Sequence, residues 1–548
     1  MGLASSVRSL PNEYAQDDRP IIERNGEVHS LRNPTGFFTR SYWPKPYAPA
    51  LFRPLASLSY AVQWTIGGGS PRVFRIGSIG LLILSGLAFY RLAGQVLGAG
   101  PGWIAAAFFM VHPAHVEATA VGVNQSELVV GLLAALLVSS FVTARKKGNS
   151  APTPIGRMLG LFVLALMFKE SAAVLIGLVV AAELLLTGDE TPWPRRLITH
   201  RPLILAMILV VVAFGAIRSL ALGGNVLGTF VAEGIDGQSM GGRALTMLGV
   251  VPHWFRLLLW PAHLRGDYSP QEISTAATFG LDQAFGTALV IAAIGLVGTL
   301  WKRAPAVSFG LVWTGIAIFP VSNVLVPTGV VLAERTLFLA SMGMMLAVGG
   351  LIAPLFDWLG RQSASWSLLG ASLVAAILAL GTSRSDHRQR VWRTNDTFWQ
   401  QTVIDAPRSY RARHASAQIL FSAGKKREGE LEFRTAIELY PRAWGLYFEQ
   451  ANRLREAGRC ADAVIFYQRT LLVNPATGAA RAGMIACLVY DARYAEAADA
   501  ARDGVRVAGS PGQARLYGRF LAIADSARKI GAPPKTVTLT VETRDTLP

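Results

Sequence analysis

The stretch LVVGLLAALLVSSFVTA, residues 128–144, contains no charged residue and is followed at once by Arg145, Lys146 and Lys147. A helix needs roughly 20 mainly apolar residues to cross the hydrocarbon of a bilayer, so the stretch predicts a membrane span that ends at a basic loop. The whole chain agrees with this interpretation, since it is 51% hydrophobic and only 16% charged, with a mean hydropathy of +0.36. Soluble domains carry about 25% charged residues. We therefore predict a polytopic membrane protein.

Comparable apolar runs recur over the first two thirds of the chain. The run 155–186 is too long for one span and is interrupted by Lys169 and Glu170, so it predicts two short helices that meet at one membrane face. By the same length rule the total is about ten membrane helices. The other predicted spans are 73–97, 103–120, 202–222, 284–301, 307–321, 337–356 and 366–381.

The basic loops predict the orientation of the spans, because short loops rich in Lys and Arg stay cytoplasmic. Three segments mark that side: ARKKGNSAPTPIGR, PWPRRLITHR and WKRAP. Counting spans from these loops places the unusual polar residues together on the opposite, non-cytoplasmic face. These are Asp17 and Asp18, the segment HPAHVEA, Lys169 and Glu170, the loop 223–282, the segment AERT and everything after Ser383.

The net charge of +17 comes from 52 Lys and Arg against 35 Asp and Glu. Many of these bases flank predicted spans, where they set topology and attract anionic headgroups, rather than forming the basic soluble module typical of nucleic-acid binding. We expect membrane lipids as partners and no nucleic acid. Two cysteines, Cys460 and Cys487, are too few for a disulfide framework. They either pair outside the cytoplasm or remain buried thiols.

A repeat begins where the long apolar runs stop, after Ser383. Gly424 and Gly458 are 458 − 424 = 34 positions apart, and Pro441 and Pro475 have the same separation. A 34-residue period with Leu, Gly, aromatic and Pro positions resembles tetratricopeptide helix pairs. A weaker third copy follows, and a helix over 513–530 is expected to cap the stack.

The predicted fold is therefore all-α, with a polytopic helical membrane domain followed by a tetratricopeptide-repeat α-solenoid. We divide the chain into a non-cytoplasmic acidic first loop with the helix that leads into the membrane (1–72), the transmembrane domain (73–383), a linker (384–409), the repeat domain (410–532) and a flexible tail (533–548).

Several segments occur in a specific order: YAQDDRPIIERNGEV, FRPLASLSY, HPAHVEATAVGVNQSEL, MFKESAAVL, RLLLWPAHLRGDYS, FPVSNVLVPTGVVLAERTLFLASMG and the trailing repeats. In this order the chain resembles the transmembrane and tetratricopeptide-repeat-containing O-mannosyltransferases, over about 17–511. The resemblance implies a GT-C fold and transfer of mannose, with inversion, from a polyprenyl-phosphate donor to Ser or Thr of proteins. It implies no metal or other cofactor. It also implies a membrane helix ahead of the acidic loop, where this sequence has MGLASSVRSLPNEY.

Transfer to a hydroxyl needs a base that takes its proton, and the departing phosphate needs cationic stabilisation. The resemblance makes Asp17 the general base, with Asp18 orienting the acceptor or sharing that role. Arg335 and Lys169 are the candidates for the donor phosphate, since Arg can hold two oxygens at once. The remaining candidates are His112 and His115 as hydrogen-bond donors, Arg53 near the headgroup, and Glu170 and Glu334 in support.

The two histidines have the i, i+3 spacing of metal ligands, but Glu117 would lie off that helical face and no cysteine is near in sequence, so we expect no metal. Two other functions remain open: a transferase that acts on a glycan or lipid, and a non-catalytic scaffold whose repeats bind partners. For the protein transferase, the repeat groove is expected to hold the acceptor protein. We expect a bacterial inner-membrane protein with the acidic loop and repeats in the periplasm.

Overall fold

The computed structural model describes residues 1–45, 51–146, 154–187, 191–224 and 231–530. Within these ranges the regular structure is helical and no strand occurs, which confirms the predicted all-α fold. The chain divides into two compact units, Met1–Pro407 and Arg408–Pro548. The predicted tail, 533–548, and part of the first basic loop lie outside the described residues.

The first unit contains fifteen α-helices in its described part. They are α1 (Gly2–Ser6), α2 (Pro54–Gly67), α3 (Pro71–Leu97), α4 (Ala99–Met110), α5 (Val116–Ala120), α6 (Gln125–Lys146), α7 (Ile155–Phe168), α8 (Leu175–Leu186), α9 (Trp193–Ala221), α10 (Met240–Leu259), α11 (Leu281–Leu300), α12 (Pro305–Ile318), α13 (Phe338–Gln362), α14 (Ala364–Gln389) and α15 (Asn395–Asp405).

Six helical stretches of the described chain are long and apolar enough to cross a membrane: Pro71–Leu97, Gly122–Lys146, Trp193–Ala221, Leu281–Leu300, Glu334–Gln362 and Ala364–Trp392. Some bury little against the rest of the protein, and α11 leaves Ile294 66% exposed. Large apolar side chains on such a surface are expected to face lipid rather than water. The protein is therefore a multi-pass integral membrane protein.

Two predicted spans are interrupted, and each break has a local cause. The predicted span 103–120 is wrong as a single helix, because α4 ends at Met110 and Pro113 follows. Proline lacks an amide hydrogen and disfavours helical geometry in the residue before it, and His112 accordingly is extended, with φ −67° and ψ 120°. The predicted break in 155–186 is confirmed, since α7 ends at Phe168 and α8 begins at Leu175.

The core of the first unit lies among α3, α4, α6, α8, α12 and α13. Close approach of α12 and α13 depends on glycine, because a Cβ on Gly343 would lie 2.6 Å from the Gly310 carbonyl oxygen. Small residues permit such contacts between membrane helices. The indole N–H of Trp313 donates to the Leu339 carbonyl (2.9 Å). Together these contacts fix the start of α13, just after Arg335.

The end of the first unit reaches beyond the predicted transmembrane domain. The segment predicted as a linker, 384–409, includes the last turns of α14 and all of α15. Phe398 of α15 is fully buried and packs on Trp392, with ring centroids 4.4 Å apart. Arg388 and Asp405 form an ion pair. The compact first unit thus continues to Pro407.

The second unit is a helical solenoid, as predicted. Its described part, 408–530, contains three helix pairs and a last helix: α16 (Tyr410–Ser422), α17 (Lys426–Leu439), α18 (Trp444–Glu456), α19 (Cys460–Val473), α20 (Gly478–Tyr490), α21 (Tyr494–Arg506) and α22 (Pro511–Ile530). The first helices of the pairs start at 410, 444 and 478, 34 positions apart. This spacing is consistent with tetratricopeptide repeats.

The turn within each helix pair explains why the third copy is less legible in the sequence. Gly424 and Gly458 occupy this turn with φ of +76° and +74°, and Ala492 stands 492 − 458 = 34 positions later with φ +59°. Glycine adopts such left-handed angles readily, whereas in alanine the Cβ atom makes them sterically unfavourable. The third pair therefore keeps the turn but loses the glycine that marks it.

Candidate functional site

The acidic pair lies in a tight turn that leads into the short helical segment Arg19–Glu23. Gln16 has a left-handed backbone, with φ +48°, and its N–H donates to Asn395 Oδ1 (3.3 Å). The hydroxyl of Tyr14 donates to the Gly69 carbonyl (3.1 Å). These contacts anchor the chain on both sides of the turn, so the direction of the two carboxylates is set by the fold.

Asp18 is fully buried and is held by three groups. Its Oδ2 accepts from Arg75 Nη2 (2.9 Å) and the Gly122 N–H (3.0 Å), and its Oδ1 accepts from the Val123 N–H (2.9 Å). Arg75 Nη2 also donates to the Glu13 carbonyl (2.7 Å). Both oxygens of this carboxylate are thus engaged by structural hydrogen bonds inside the protein. Asp18 therefore holds the acidic turn in place, and its predicted role beside the acceptor stays a prediction.

Asp17 is half-buried, and its carboxylate lies close enough to Arg335 for their charges to interact. It also lies close enough to Tyr42 to help raise the pKa of that hydroxyl. Arg335 belongs to the turn Glu334–Leu337 that precedes α13. Its backbone N–H donates to Glu117 Oε2 (2.8 Å), and its Nη1 pairs with Glu117 Oε1. The structure thus brings the candidate base near one of the two principal candidate phosphate ligands.

Lys169 and Glu170 contact different partners, because Lys169 is extended (φ −160°, ψ 131°) and successive side chains of an extended chain point opposite ways. Lys169 forms an ion pair with Glu127 of α6. Glu170 accepts two hydrogen bonds from Arg53, one from Nε (3.0 Å) and one from Nη2 (2.7 Å). The Arg53 guanidinium also lies 5.0 Å from the ring centre of Tyr42.

These pairs form one charged cluster, since Glu127 also interacts electrostatically with Arg53 and Arg335. The described residues of the charged cluster provide three cations and four carboxylates, a formal charge of 3 − 4 = −1. They are Asp17, Arg53, Glu117, Glu127, Lys169, Glu170 and Arg335.

Burial shapes the protonation of the charged cluster. Burial lowers the pKa of Lys169, and the nearby Glu127 carboxylate only partly offsets this effect. Burial by itself would raise the pKa of Glu170, but the charge and hydrogen bonds of Arg53 bring it down to about 2. Burial raises the pKa of the Tyr42 hydroxyl to about 12. Glu170 is therefore a permanent counter-ion near neutral pH, and Tyr42 stays protonated.

The two predicted histidines have other hydrogen-bond partners. His112 Nε2 donates to the Leu258 carbonyl (3.1 Å) while Nδ1 accepts from the Ala114 N–H (3.3 Å). His115 Nε2 lies 2.8 Å from Ser341 Oγ. Burial lowers the pKa of His112 to about 4, which makes it a neutral ring. These contacts tie the break after α4 to its neighbours rather than to the charged cluster.

Glu334 also points away from its sequence neighbour Arg335. Its Oε1 accepts from the Arg265 N–H (2.6 Å) and the Tyr268 hydroxyl (2.8 Å), and it is 2% exposed. Glu334 thereby fastens the loop after α10 to the start of α13. Among the described residues no group of three or more His, Cys, Asp or Glu side chains is arranged to hold a metal ion.

Glu117 and Glu127 are the members of the charged cluster that the sequence analysis did not select. Both lie in the segment HPAHVEATAVGVNQSEL, and both are buried. Carboxylates in an apolar membrane segment are costly unless they have a partner. This rule alone would have marked both residues, although it could not have named Arg335 and Lys169 as their partners.

Comparison with known proteins gives consistent relatives, although no protein-family model matches the chain. Human protein O-mannosyl-transferase TMTC1 is 24% identical, over 79% of this chain and 54% of the relative. Protein O-mannosyl-transferase F38B6.6 of Caenorhabditis elegans is 21% identical, over 79% of this chain and 60% of the relative. Mouse protein O-mannosyl-transferase TMTC3 is 24% identical, over 81% of this chain and 51% of the relative.

The chain thus spans between 51% and 60% of the length of these relatives. The matched part covers about four fifths of this chain, and the sequence segments that predicted the resemblance lie in both units. The chain is therefore a homologue of the transmembrane and tetratricopeptide-repeat-containing protein O-mannosyl-transferases, as the order of its sequence segments predicted.

Proposed function

We propose that the chain is an integral-membrane glycosyltransferase that moves a sugar from a polyprenyl-phosphate donor to Ser or Thr hydroxyls of proteins on the non-cytoplasmic side. Mannose is the sugar that its relatives' names suggest. The observation that carries the proposal is the joining of Asp17, Lys169 and Arg335 in one charged cluster. The basic loops support the sidedness.

Asp17 is the base in this proposal. Its carboxylate takes the proton of the acceptor hydroxyl as the hydroxyl oxygen attacks the anomeric carbon. The bond from the anomeric carbon to the phosphate oxygen breaks on the opposite face, and its electron pair leaves with the polyprenyl phosphate. Attack on one face and departure from the other invert the configuration. Half-burial leaves Asp17 reachable from outside, unlike Asp18.

Arg335 and Lys169 stabilise the departing phosphate. Their side chains are 23% and 13% exposed, while their partners Glu117 and Glu127 are both 7% exposed. The cations are thus the more accessible members of both pairs, and the deeper carboxylates hold them in place. Buried cations need such counter-ions, because an unpaired charge in a low-dielectric interior is strongly destabilising. Glu117 and Glu127 therefore act as positioning residues.

The charge balance of the charged cluster decides how it can bind an anion. With a formal charge of −1, the described cluster does not attract phosphate through net positive potential. Binding relies instead on directed N–H donors, which in water-poor sites form strong charge-assisted hydrogen bonds. We therefore expect the affinity for the lipid donor to depend only weakly on ionic strength.

The proposal is tested by reconstituting the full chain in lipid vesicles with polyprenyl-phosphate mannose. Three acceptors are offered separately: a Ser- and Thr-containing polypeptide, an oligosaccharide and a lipid. Mass spectrometry of each acceptor is expected to show added hexose on the polypeptide only. Transfer only to the oligosaccharide or lipid would replace the acceptor class. Binding of the donor without transfer to any acceptor would favour a non-catalytic scaffold.

A further inference from the structure

Cys460 and Cys487, the chain's two cysteines, lie side by side in the solenoid although they are 487 − 460 = 27 positions apart. Cys460 begins α19 and Cys487 lies in α20, so the pair joins the second and third helix pairs. Their Sγ atoms are 2.7 Å apart. Both cysteines are free thiols in the structure and the Cys460 thiol donates to Cys487 Sγ, so the two sulfur atoms are already in direct contact.

We propose that Cys460 and Cys487 form a structural disulfide that staples α19 to α20. The two thiols lose two protons and two electrons, and a protein or small-molecule disulfide accepts them and becomes a dithiol. Exchange proceeds through a mixed disulfide, in which one thiolate attacks the oxidant and the second thiolate displaces it. Such oxidants act outside the cytoplasm, so the inference rests on the non-cytoplasmic placement in the proposed function.

Burial indicates when this bond forms. Cys460 is 6% exposed and Cys487 is fully buried. Burial raises the pKa of both thiols, and the thiolate is the form that reacts. The packed pair is therefore a poor substrate for an oxidant in solution. The bond forms while the chain folds, before α19 and α20 close over the sulfur atoms, and it acts as a permanent link rather than a switch.

The surroundings favour a single, correct pairing. Both sulfur atoms belong to the apolar core of the second and third helix pairs, which also includes Tyr467, Ala480 and Ala498. With no third cysteine in the chain, an intramolecular bond has one possible partner at each end. A cross-link between residues this far apart stabilises the fold mainly by restricting the unfolded chain.

The redox state is read directly from the full chain in native membranes. Free thiols are blocked with N-ethylmaleimide at lysis under denaturing conditions, and the protein is digested without reductant. We expect one cross-linked pair of peptides containing Cys460 and Cys487, with the mass of two hydrogens less than the sum of the two. Recovery of both cysteines as maleimide adducts would overturn the proposal.

A second measurement separates a bond from two packed thiols. Cys460→Ser, Cys487→Ser and the double variant are unfolded thermally in detergent, with and without dithiothreitol. A disulfide predicts that each single change lowers the midpoint by several degrees and as much as the double change, and that reductant lowers only the unsubstituted protein. The disulfide would be overturned if the two single changes lowered the midpoint additively in the double variant and dithiothreitol had no effect on the unsubstituted protein. Ala463→Ser, at a fully buried position on α19, controls for the destabilising effect of a buried hydroxyl.

Neither measurement requires transferase activity. Free thiols together with normal sugar transfer would reject the disulfide and leave the proposed function standing. An intact disulfide in a protein that transfers no sugar would support the disulfide and reject the proposed function.

Discussion

Asp18 and Arg75 form a 2.9 Å ion pair in which both side chains are completely shielded from solvent. The Gly122 and Val123 N–H groups complete the environment of the Asp18 carboxylate. This pair therefore joins the acidic turn to α3 and to the residues that precede α6. Two neighbouring aspartates with the same chemistry consequently have different surroundings: Asp18 is buried in structural contacts, whereas Asp17 is half-buried and is the base in the proposed function.

Asp18→Asn should destabilise the protein severely. The change removes the charge that compensates buried Arg75, and breaking a buried pair from one side costs about 3–5 kcal/mol. Unfolding by denaturant in detergent measures this loss. Asp17→Asn is the matched control, since the same chemical change at a half-buried position should cost under about 1 kcal/mol. Equal stability of the two variants would contradict the structural role of the Asp18–Arg75 pair.

Asp17→Asn should abolish transfer while donor binding persists. The amide keeps the size of the side chain but cannot accept a proton, and loss of a general base typically reduces the rate about 10²–10⁴-fold. Initial rates with saturating donor and acceptor measure the loss of transfer. Binding of the intact lipid donor to the variant shows whether donor binding persists. If turnover is undiminished, the base is another residue.

Lys169→Ala and Arg335→Ala should raise the donor KM more than the acceptor KM. Each removes a charge-assisted hydrogen bond worth about 1.5–3 kcal/mol, which corresponds to roughly 10–150-fold in donor affinity. Arg145→Ala is the control, because Arg145 forms a comparably buried pair with Glu183 (2.8 Å) towards the other end of α6. A change confined to the acceptor KM in both test variants would place the phosphate elsewhere.

Acidification from pH 6.5 to pH 4 should destabilise the protein through His112. Its pKa is lowered by burial from 6.5 to about 4, so the unfolded chain takes up a proton in this window and the folded chain does not. Above pH 6.5 the titration of His112 does not affect the free energy of unfolding. At pH 4 it lowers that free energy by about 3 kcal/mol.

Thermal midpoints against pH for the unsubstituted protein and His112→Gln measure this effect. The glutamine amide can still donate to the Leu258 carbonyl, which His112 contacts at 3.1 Å, but it does not titrate. The variant should show a flatter profile. His115, whose pKa is also lowered by burial, should leave a residual slope. An unchanged profile in His112→Gln would show that His112 is not the titrating group.

A chain that ends at Pro407 should transfer sugar to short peptides but lose efficiency on long or folded acceptors. The solenoid is expected to raise the local concentration of acceptor, to about the mM range for a short tether. The boundary keeps α15, whose Phe398 is buried in the first unit. Relative kcat/KM values for short and long acceptors measure the effect. An unchanged ratio in the folded, shortened protein would show that the repeats do not recruit substrate.

The spans, the solenoid and the break at Lys169 were predictable because each depends on residues near one another in sequence. The division of 103–120 was missed because average hydropathy conceals the effect of Pro113, although the proline itself was visible. The different surroundings of Asp17 and Asp18 were not predictable, since they depend on the left-handed turn at Gln16 and on hydrogen-bond donors that are distant in sequence.

The pairing of charges was the least predictable feature of the candidate site. Arg335 follows Glu334 directly, yet its partner is Glu117, 218 positions away. Lys169 precedes Glu170 but pairs with Glu127, 42 positions away. Sequence can mark an ionisable residue in an apolar segment as one that needs a partner. Which partner it finds is decided by how the helices pack.

The extended backbone of Lys169 also bears on the order in which the substrates bind. Its side chain contacts Glu127, whereas the next residue, Glu170, contacts Arg53, which lies against Tyr42 in the first loop. If a lipid headgroup draws Lys169 towards itself, the adjoining residue Glu170, whose carboxylate holds Arg53, is expected to move with it. Under the proposed function we therefore expect donor binding to disturb the contacts of Arg53 and Tyr42 in the first loop before an acceptor is present, and we expect a kinetic order with the lipid donor first.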